Sequence, residues 1–190
     1  MTSNAVSVIL PVLNEEDYLV HAVEAILQQK FTGQIEVLLA IGPSIDRTMQ
    51  IAEELAKNDS RVRIIENPSG RTAAGLNLAI KNSKFPVIVR VDGHSNIPEN
   101  YIELAVQLLE KTGAVNVGGL MAAEGRTPFE RAVAGAMRSP LGVGAAKFHT
   151  GGQAGEVDTV YLGVFKRDAL LAVGGFDQHF TRAQDWELNY

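Results

Sequence analysis

Asp92 directly follows the apolar run Pro86–Val91 (PVIVRV). A run this apolar reads as a strand buried on both faces, so the carboxylate after it arrives at the sheet edge where open sheets bind ligands. A carboxylate there can hold a hard cation, and it can equally cap a turn. His94 stands two positions on; its imidazole can ligate manganese but suits magnesium poorly, and it can equally be a polar loop residue. Arg71 follows Gly70 between a strand and a helix, where a guanidinium can grip a phosphate bidentately and the helix N-terminus itself favours anions. A surface arginine on a turn fits that position equally. Asp185 and Glu187 lie in QDWEL (184–188). As first-turn acids of a helix they would contribute only tenths of a kcal/mol, and two residues apart they do not share a face. Trp186 between them is either core or a platform for a sugar ring. His149, Asp158, Asp177 and His179 carry weaker signals: Asp158 opens a strand, and His179 reads best as a loop residue. The four histidines form no zinc spacing, and the chain has no cysteine for a thiolate site or nucleophile.

The elements that position these residues alternate two periods. Val6–Leu13 (VSVILPVL) reads as a buried strand. Asn14 then offers an N-cap, with Glu15, Glu16 and Asp17 in the first turn of a helix whose apolar stripe runs from Tyr18 to Leu27. Strands at Ile35–Ile41, Val62–Ile65 and Pro86–Val91 alternate with helices at Thr48–Lys57 and Thr72–Asn82. Such alternation predicts an α/β fold with a mostly parallel sheet and helices on both faces. The carboxyl ends, Pro11–Glu15, Ile41–Asp46, Glu66–Arg71 and Asp92–Ser95, should line one cleft. Beyond Ser95 the pattern predicts a helix at Pro98–Lys111, a strand at Ala114–Ala123 and a helix at Pro128–Arg138. A Gly-rich loop at Ser139–Glu156, a strand at Val157–Phe165 and a helix at Arg167–Val173 follow. The chain stops inside a helix at Asp185–Tyr190, which reads as C-terminal truncation.

At 190 residues, with 46% hydrophobic and 21% charged, the chain suits one domain with a real core. Seventeen basic against 22 acidic residues give a net charge of −5, without the basic excess of a nucleic-acid binder. No apolar run approaches the roughly 18–20 residues of a membrane span, and the N-terminus is a poor signal peptide. A cytoplasmic chain is the expectation.

PVLNEE (11–16), NPSGRTAAGLN (67–77), VRVDGH (89–94) and GGFDQHFTRAQDWEL (174–188), in that order and spacing, resemble the family 2 glycosyltransferases, with GT-A fold. The wording is most similar to that of bacterial polysaccharide glycosyltransferases of the succinoglycan type, and the likeness covers nearly the whole chain. The resemblance implies an inverting transfer of a sugar from a nucleotide-diphosphate sugar, a UDP-sugar first, to a glycan or lipid-linked acceptor in polysaccharide synthesis. A divalent metal, Mn2+ or Mg2+, assists in that family. It assigns Asp92 to metal and diphosphate, His94 to the metal in place of a usual second Asp, and Asp185 to the general base. Pro11, Leu13, Glu15, Arg71 and Asn77 are then the candidate nucleotide contacts. Residues 1–95 become the nucleotide-sugar half and 96–190 an incomplete acceptor-side half of one catalytic domain. Ile41 and Gly42 stand where many members carry an Asp pair that reads the base or ribose, and Asp46 either caps a helix or touches ligand. A longer protein would meet the inner face of the cell membrane through the missing C-terminal segment. Two alternatives remain: an inactive nucleotide-sugar-binding module, and a sugar-nucleotide nucleotidyltransferase, which would want a Gly-rich basic loop where Asn14–Glu16 stands.

Overall fold

The computed structural model describes residues 4–125, 127–139, 155–180 and 184–189. Strands β1 (Ala5–Val12), β2 (Gln34–Ile41), β3 (Val62–Glu66) and β4 (Val87–Arg90) alternate with helices α1 (Leu19–Leu27), α2 (Thr48–Asn58) and α3 (Thr72–Asn82). Then come α4 (Tyr101–Thr112), β5 (Asn116–Gly119), α5 (Pro128–Met137), β6 (Tyr161–Lys166), α6 (Arg167–Ala172) and α7 (Gln184–Asn189). They build a six-stranded sheet of order β3-β2-β1-β4-β6-β5. The first four strands are parallel, and β6 runs antiparallel to both β4 and β5. The expected mostly parallel α/β sheet is the one observed.

The near-continuous apolar strands follow from burial on both faces. Val6, Val8, Leu10 and Val12 point to one side, against Leu19, Val23 and Ile26 of α1 and Ile102, Val106 and Leu109 of α4. Ile9, Leu38 and Ala40 point to the other, against Leu76, Ala79 and Ile80 of α3, Leu170 of α6 and Phe176. No helix among the described residues is long and apolar enough to cross a membrane.

At the amino ends of the strands the core admits one polar knot. Buried Glu36 accepts from the Ser7 hydroxyl (2.7 Å) and the Lys84 N–H (2.6 Å) through one oxygen, and from Arg63 Nη1 (3.0 Å) through the other. The Ser7 oxygen accepts in turn from the Phe85 N–H (3.1 Å). Removing the carboxylate would leave buried donors unpaired, each costing about 1–3 kcal/mol. Glu36→Ala is therefore expected to lower stability by about 2–4 kcal/mol in urea unfolding, with Glu36→Gln costing less.

Several sequence expectations move. Asn14 does not cap α1: its φ is 55°, a left-handed turn, and the helix begins only at Leu19. Its side chain instead reaches across to the β2 loop, where Oδ1 accepts from the Ile45 N–H (2.9 Å). The strand expected over Ala114–Ala123 shortens to Asn116–Gly119, because it pairs with β6 only from Asn116 to Gly119, with a register irregularity between Val117 and Gly119. The one expected at Val157–Phe165 shifts to Tyr161–Lys166, so Asp158 sits ahead of the strand and exposed. Residues 140–154 of the expected Gly-rich loop, His149 among them, lie outside the described residues.

Candidate functional site

The carboxyl ends of β1, β3 and β4 open on one cavity of about 430 Å³. From the end of β1 and its loop come Pro11, Leu13 and Glu15; from the β3–α3 turn and the start of α3, Asn67, Gly70 and Thr72; from β4 and its following turn, Arg90, Asp92, Gly93 and His94. Gln184 closes the far wall from α7. Five of the expected site residues, Pro11, Leu13, Glu15, Asp92 and His94, are thus brought together.

The β2 end supports this cavity from behind and does not line it. Gly42 packs so closely that a Cβ there would stand 3.0 Å from both Leu13 Cδ1 and Gly70 Cα. Gly70 itself turns through φ +64°, a conformation glycine adopts without strain. Asp46 has local partners: its carboxylate accepts from the N–H groups of Thr48 (3.0 Å) and Glu16 (3.2 Å). The hydrogen bonds from Thr48 hold it below the usual carboxylate range. Its task here is to staple the β1 and β2 loops to each other.

Arg71 and Asn77 do not join the other five. Both line a separate cavity of about 500 Å³ with Gly174, Phe176 and Asp177. Arg71 Nη2 donates to the Gln178 carbonyl. The Asn77 amide is engaged at both ends by the Phe176 backbone, donating to its carbonyl and accepting from its N–H at 2.8 Å each. With that bidentate grip Asn77 fastens the segment leading to α7.

Sequence reading passed over Arg90, the centre of the arrangement. It ends β4, is only 7% exposed, and lies with its guanidinium carbon 5.8 Å from the Phe176 ring centroid. Nε donates to Asp92 Oδ1 (3.1 Å), and Nη1 donates to Asp185 Oδ1. One guanidinium therefore joins the carboxylate after β4 to a carboxylate of α7. The signal was present: an arginine inside PVIVRV cannot be buried without carboxylate partners. Asp185 is partly buried, and the loss of water around it pushes its carboxyl above the usual range, against the pull of Arg90 and with Asp92 adding to the rise.

The turn after Asp92 is closed by the Ser95 N–H donating to the Asp92 carbonyl (2.9 Å). It is anchored on β6 through Ser95 Oγ and the Tyr161 hydroxyl, 3.0 Å apart. Burial pushes the Tyr161 phenol upward, so it stays a neutral hydrogen-bonding group beside two carboxylates. His94 Nδ1 lies 2.9 Å from Glu15 Oε1. α7 is fixed at its other end by Asn116 Nδ2 donating to Asn189 Oδ1 (2.6 Å). Trp186, next to Asp185, is 52% exposed and so is not core. Asp177 and His179 bond each other locally at 2.8 Å, away from the first cavity.

Residues 7–174 match the family model described as Glycosyl transferase family 2. The chain is 31% identical over 192 residues to the succinoglycan biosynthesis protein ExoA of Rhizobium meliloti (strain 1021), covering 100% of this chain and 58% of that protein. It is 35% identical over 118 residues to glycosyltransferase GlyG of Streptococcus pneumoniae serotype 4, covering 61% of this chain and 39% of that one. Among solved structures, S. aureus TarS 1–349 is similar with a TM-score of 0.74 at 20% identity, covering 97% of this chain and 54% of that one. Mannosyltransferase PcManGT from Pyrobaculum calidifontis, in complex with GDP-Man and Mn2+, gives 0.70 at 18% identity, with 99% and 51% covered. The chain spans about half the length of these relatives. By its family match the chain belongs to glycosyl transferase family 2, and its six-stranded sheet is that of a GT-A glycosyltransferase.

Proposed function

We propose that this chain is the donor-binding and catalytic domain of an inverting, metal-assisted glycosyltransferase. It moves a sugar from a nucleotide-diphosphate sugar to a hydroxyl of a glycan or lipid-linked acceptor in envelope or extracellular polysaccharide synthesis. The observation that carries this reading is the Arg90 bridge: Arg90 and Asp92 line the cavity, and the same guanidinium holds Asp185, next to the lining residue Gln184. Residues 1–95 then hold the donor, and 96–190 supply the acceptor side.

The residues suit a divalent cation. Among the described residues no three His, Asp or Glu side chains form a closed cage. Magnesium and manganese at nucleotide sites commonly take one or two protein ligands and leave the remainder to substrate phosphates. Asp92, with Arg90 on Oδ1, has Oδ2 left to give, and His94 lines the same cavity. The bound cation would neutralise charge developing on the departing diphosphate. PcManGT with GDP-Man and Mn2+, and TarS with UDP-GlcNAc (TM-score 0.69), support a nucleotide-sugar and metal site on this fold.

The acceptor oxygen attacks the anomeric carbon as the bond from that carbon to the diphosphate oxygen breaks, and Asp185 takes the acceptor's proton. Burial raises its pKa, which makes it a stronger base than a solvated aspartate. Arg90 holds the carboxylate in place through Oδ1 and leaves the other oxygen for the proton.

Calorimetric titration with UDP, and separately GDP, with and without Mn2+, tests the donor site. Manganese-dependent binding of one nucleotide, weakened at least tenfold in Asp92→Ala, is expected. A folded chain that binds neither nucleotide, or an Asp92→Ala variant that binds as well as the parent, would overturn the reading.

A further inference from the structure

We infer that Glu15 is a positioning residue that sets His94 as an imidazole ligand, so that the site selects a first-row transition cation over magnesium. The inference rests on the cation reading of Asp92 above. An ionised carboxylate only accepts hydrogen bonds, so the 2.9 Å contact between Glu15 Oε1 and His94 Nδ1 puts the ring proton on Nδ1. In the neutral ring the lone pair then sits on Nε2, the atom turned away from Glu15. This is the arrangement by which carboxylates fix the tautomer and orientation of metal-bound histidines and raise their basicity.

The fold places the carboxylate first and the ring second. The Glu15 side chain is 17% exposed, and its backbone N–H is pinned by Thr48 Oγ1 at 2.8 Å. The His94 side chain is 60% exposed and projects from the turn. Gly93 makes the contact possible: a Cβ there would stand 3.1 Å from Glu15 Cγ, crowding the side chain that crosses the turn. Glu15, Asp92 and His94 all line the 430 Å³ cavity. On this reading the donors offered to a cation are Asp92 Oδ2 and His94 Nε2, with Glu15 engaged on the ring. Imidazole favours transition cations, with affinity rising from manganese to cobalt, whereas magnesium favours oxygen and sheds water reluctantly.

The test measures cation affinity directly, with UDP or GDP saturating, by electron paramagnetic resonance of free Mn2+ and by calorimetry with Co2+ and Mg2+. In the parent chain affinity is expected to rise from Mg2+ through Mn2+ to Co2+, with at least a tenfold step from Mg2+ to Mn2+. His94→Asp should narrow that step and strengthen Mg2+. Glu15→Ala should weaken Mn2+ and Co2+ by about tenfold and leave Mg2+ within about twofold. Circular dichroism and thermal unfolding of each variant establish that it is folded. Mg2+ and Mn2+ binding equally to the parent, or His94→Ala leaving the Mn2+ affinity unchanged, would overturn this inference while Asp92-dependent nucleotide binding still stands. Nucleotide binding that needs no cation would overturn both.

Discussion

Asp185→Asn is expected to lower the rate of sugar transfer by about 10²–10⁴-fold while nucleotide affinity in the presence of Mn2+ stays within about twofold. The asparagine keeps an oxygen that can accept from Arg90 Nη1, so the bridge to Asp92 and the seating of α7 persist. Only the ability to take a proton is lost. Release of UDP from a UDP-sugar, with a glycan acceptor or with water, measures the first effect, and calorimetry the second. A second signature separates a base from a structural carboxylate. Because Asp185 is pushed up in the folded chain, the folded state holds more protons than the unfolded one between the two pKa values. This group's contribution to stability therefore falls as pH rises from the unfolded to the folded value. Asp185→Asn should flatten that part of the urea-unfolding stability profile and leave stability at neutral pH equal or higher. A large loss of stability at neutral pH, with transfer intact, would make Asp185 an anchor and not a base.

Arg90→Met should do the opposite to the fold. It leaves the Asp92 and Asp185 carboxylates close together with no cation between them. Removing one partner from a buried charge network costs about 3–5 kcal/mol, and a loss of that size is expected in urea unfolding. Arg90→Lys distinguishes the charge from its shape. A lysine supplies one ammonium on a flexible stem and cannot present the rigid fork that reaches Asp92 through Nε and Asp185 through Nη1. The lysine variant is expected to keep most of the stability yet lose transfer by at least tenfold. Combining Arg90→Met with Asp185→Asn should restore a measurable part of the stability lost in the single variant, because the two residues share one network. Simple additivity would mean that the bridge contributes little.

Much of this was legible from residue order. The alternation of apolar strands and amphipathic helices is dictated by burial, and it carried the parallel sheet and the convergence of Pro11, Leu13, Glu15, Asp92 and His94. What escaped was set by tertiary partners. The spacing gave no sign that Asn77 would spend its amide on the backbone of Phe176, nearly a hundred residues on. Asn14 looked like an N-cap because it precedes three acids, but the loop it occupies is shaped by Ser44 and Ile45 in the loop after β2. Trp186, a large apolar side chain, is half exposed beside a candidate base, where burial alone would not have put it. Arg90 was the one omission the sequence itself could have prevented.

The strand order has a consequence for how the chain is made. β4 pairs on one side with β1, which is already complete when β4 emerges from the ribosome. Its other neighbour is β6, and 70 residues, 91–160, separate Arg90 from Tyr161. At about 5–20 residues per second, translation leaves that edge of the sheet unpaired for about 4–14 s. Val87, Ile88 and Val89 thus present a bare apolar ladder during synthesis, open to any extended segment that meets it. The late arrival of β6 sets how long that exposure lasts.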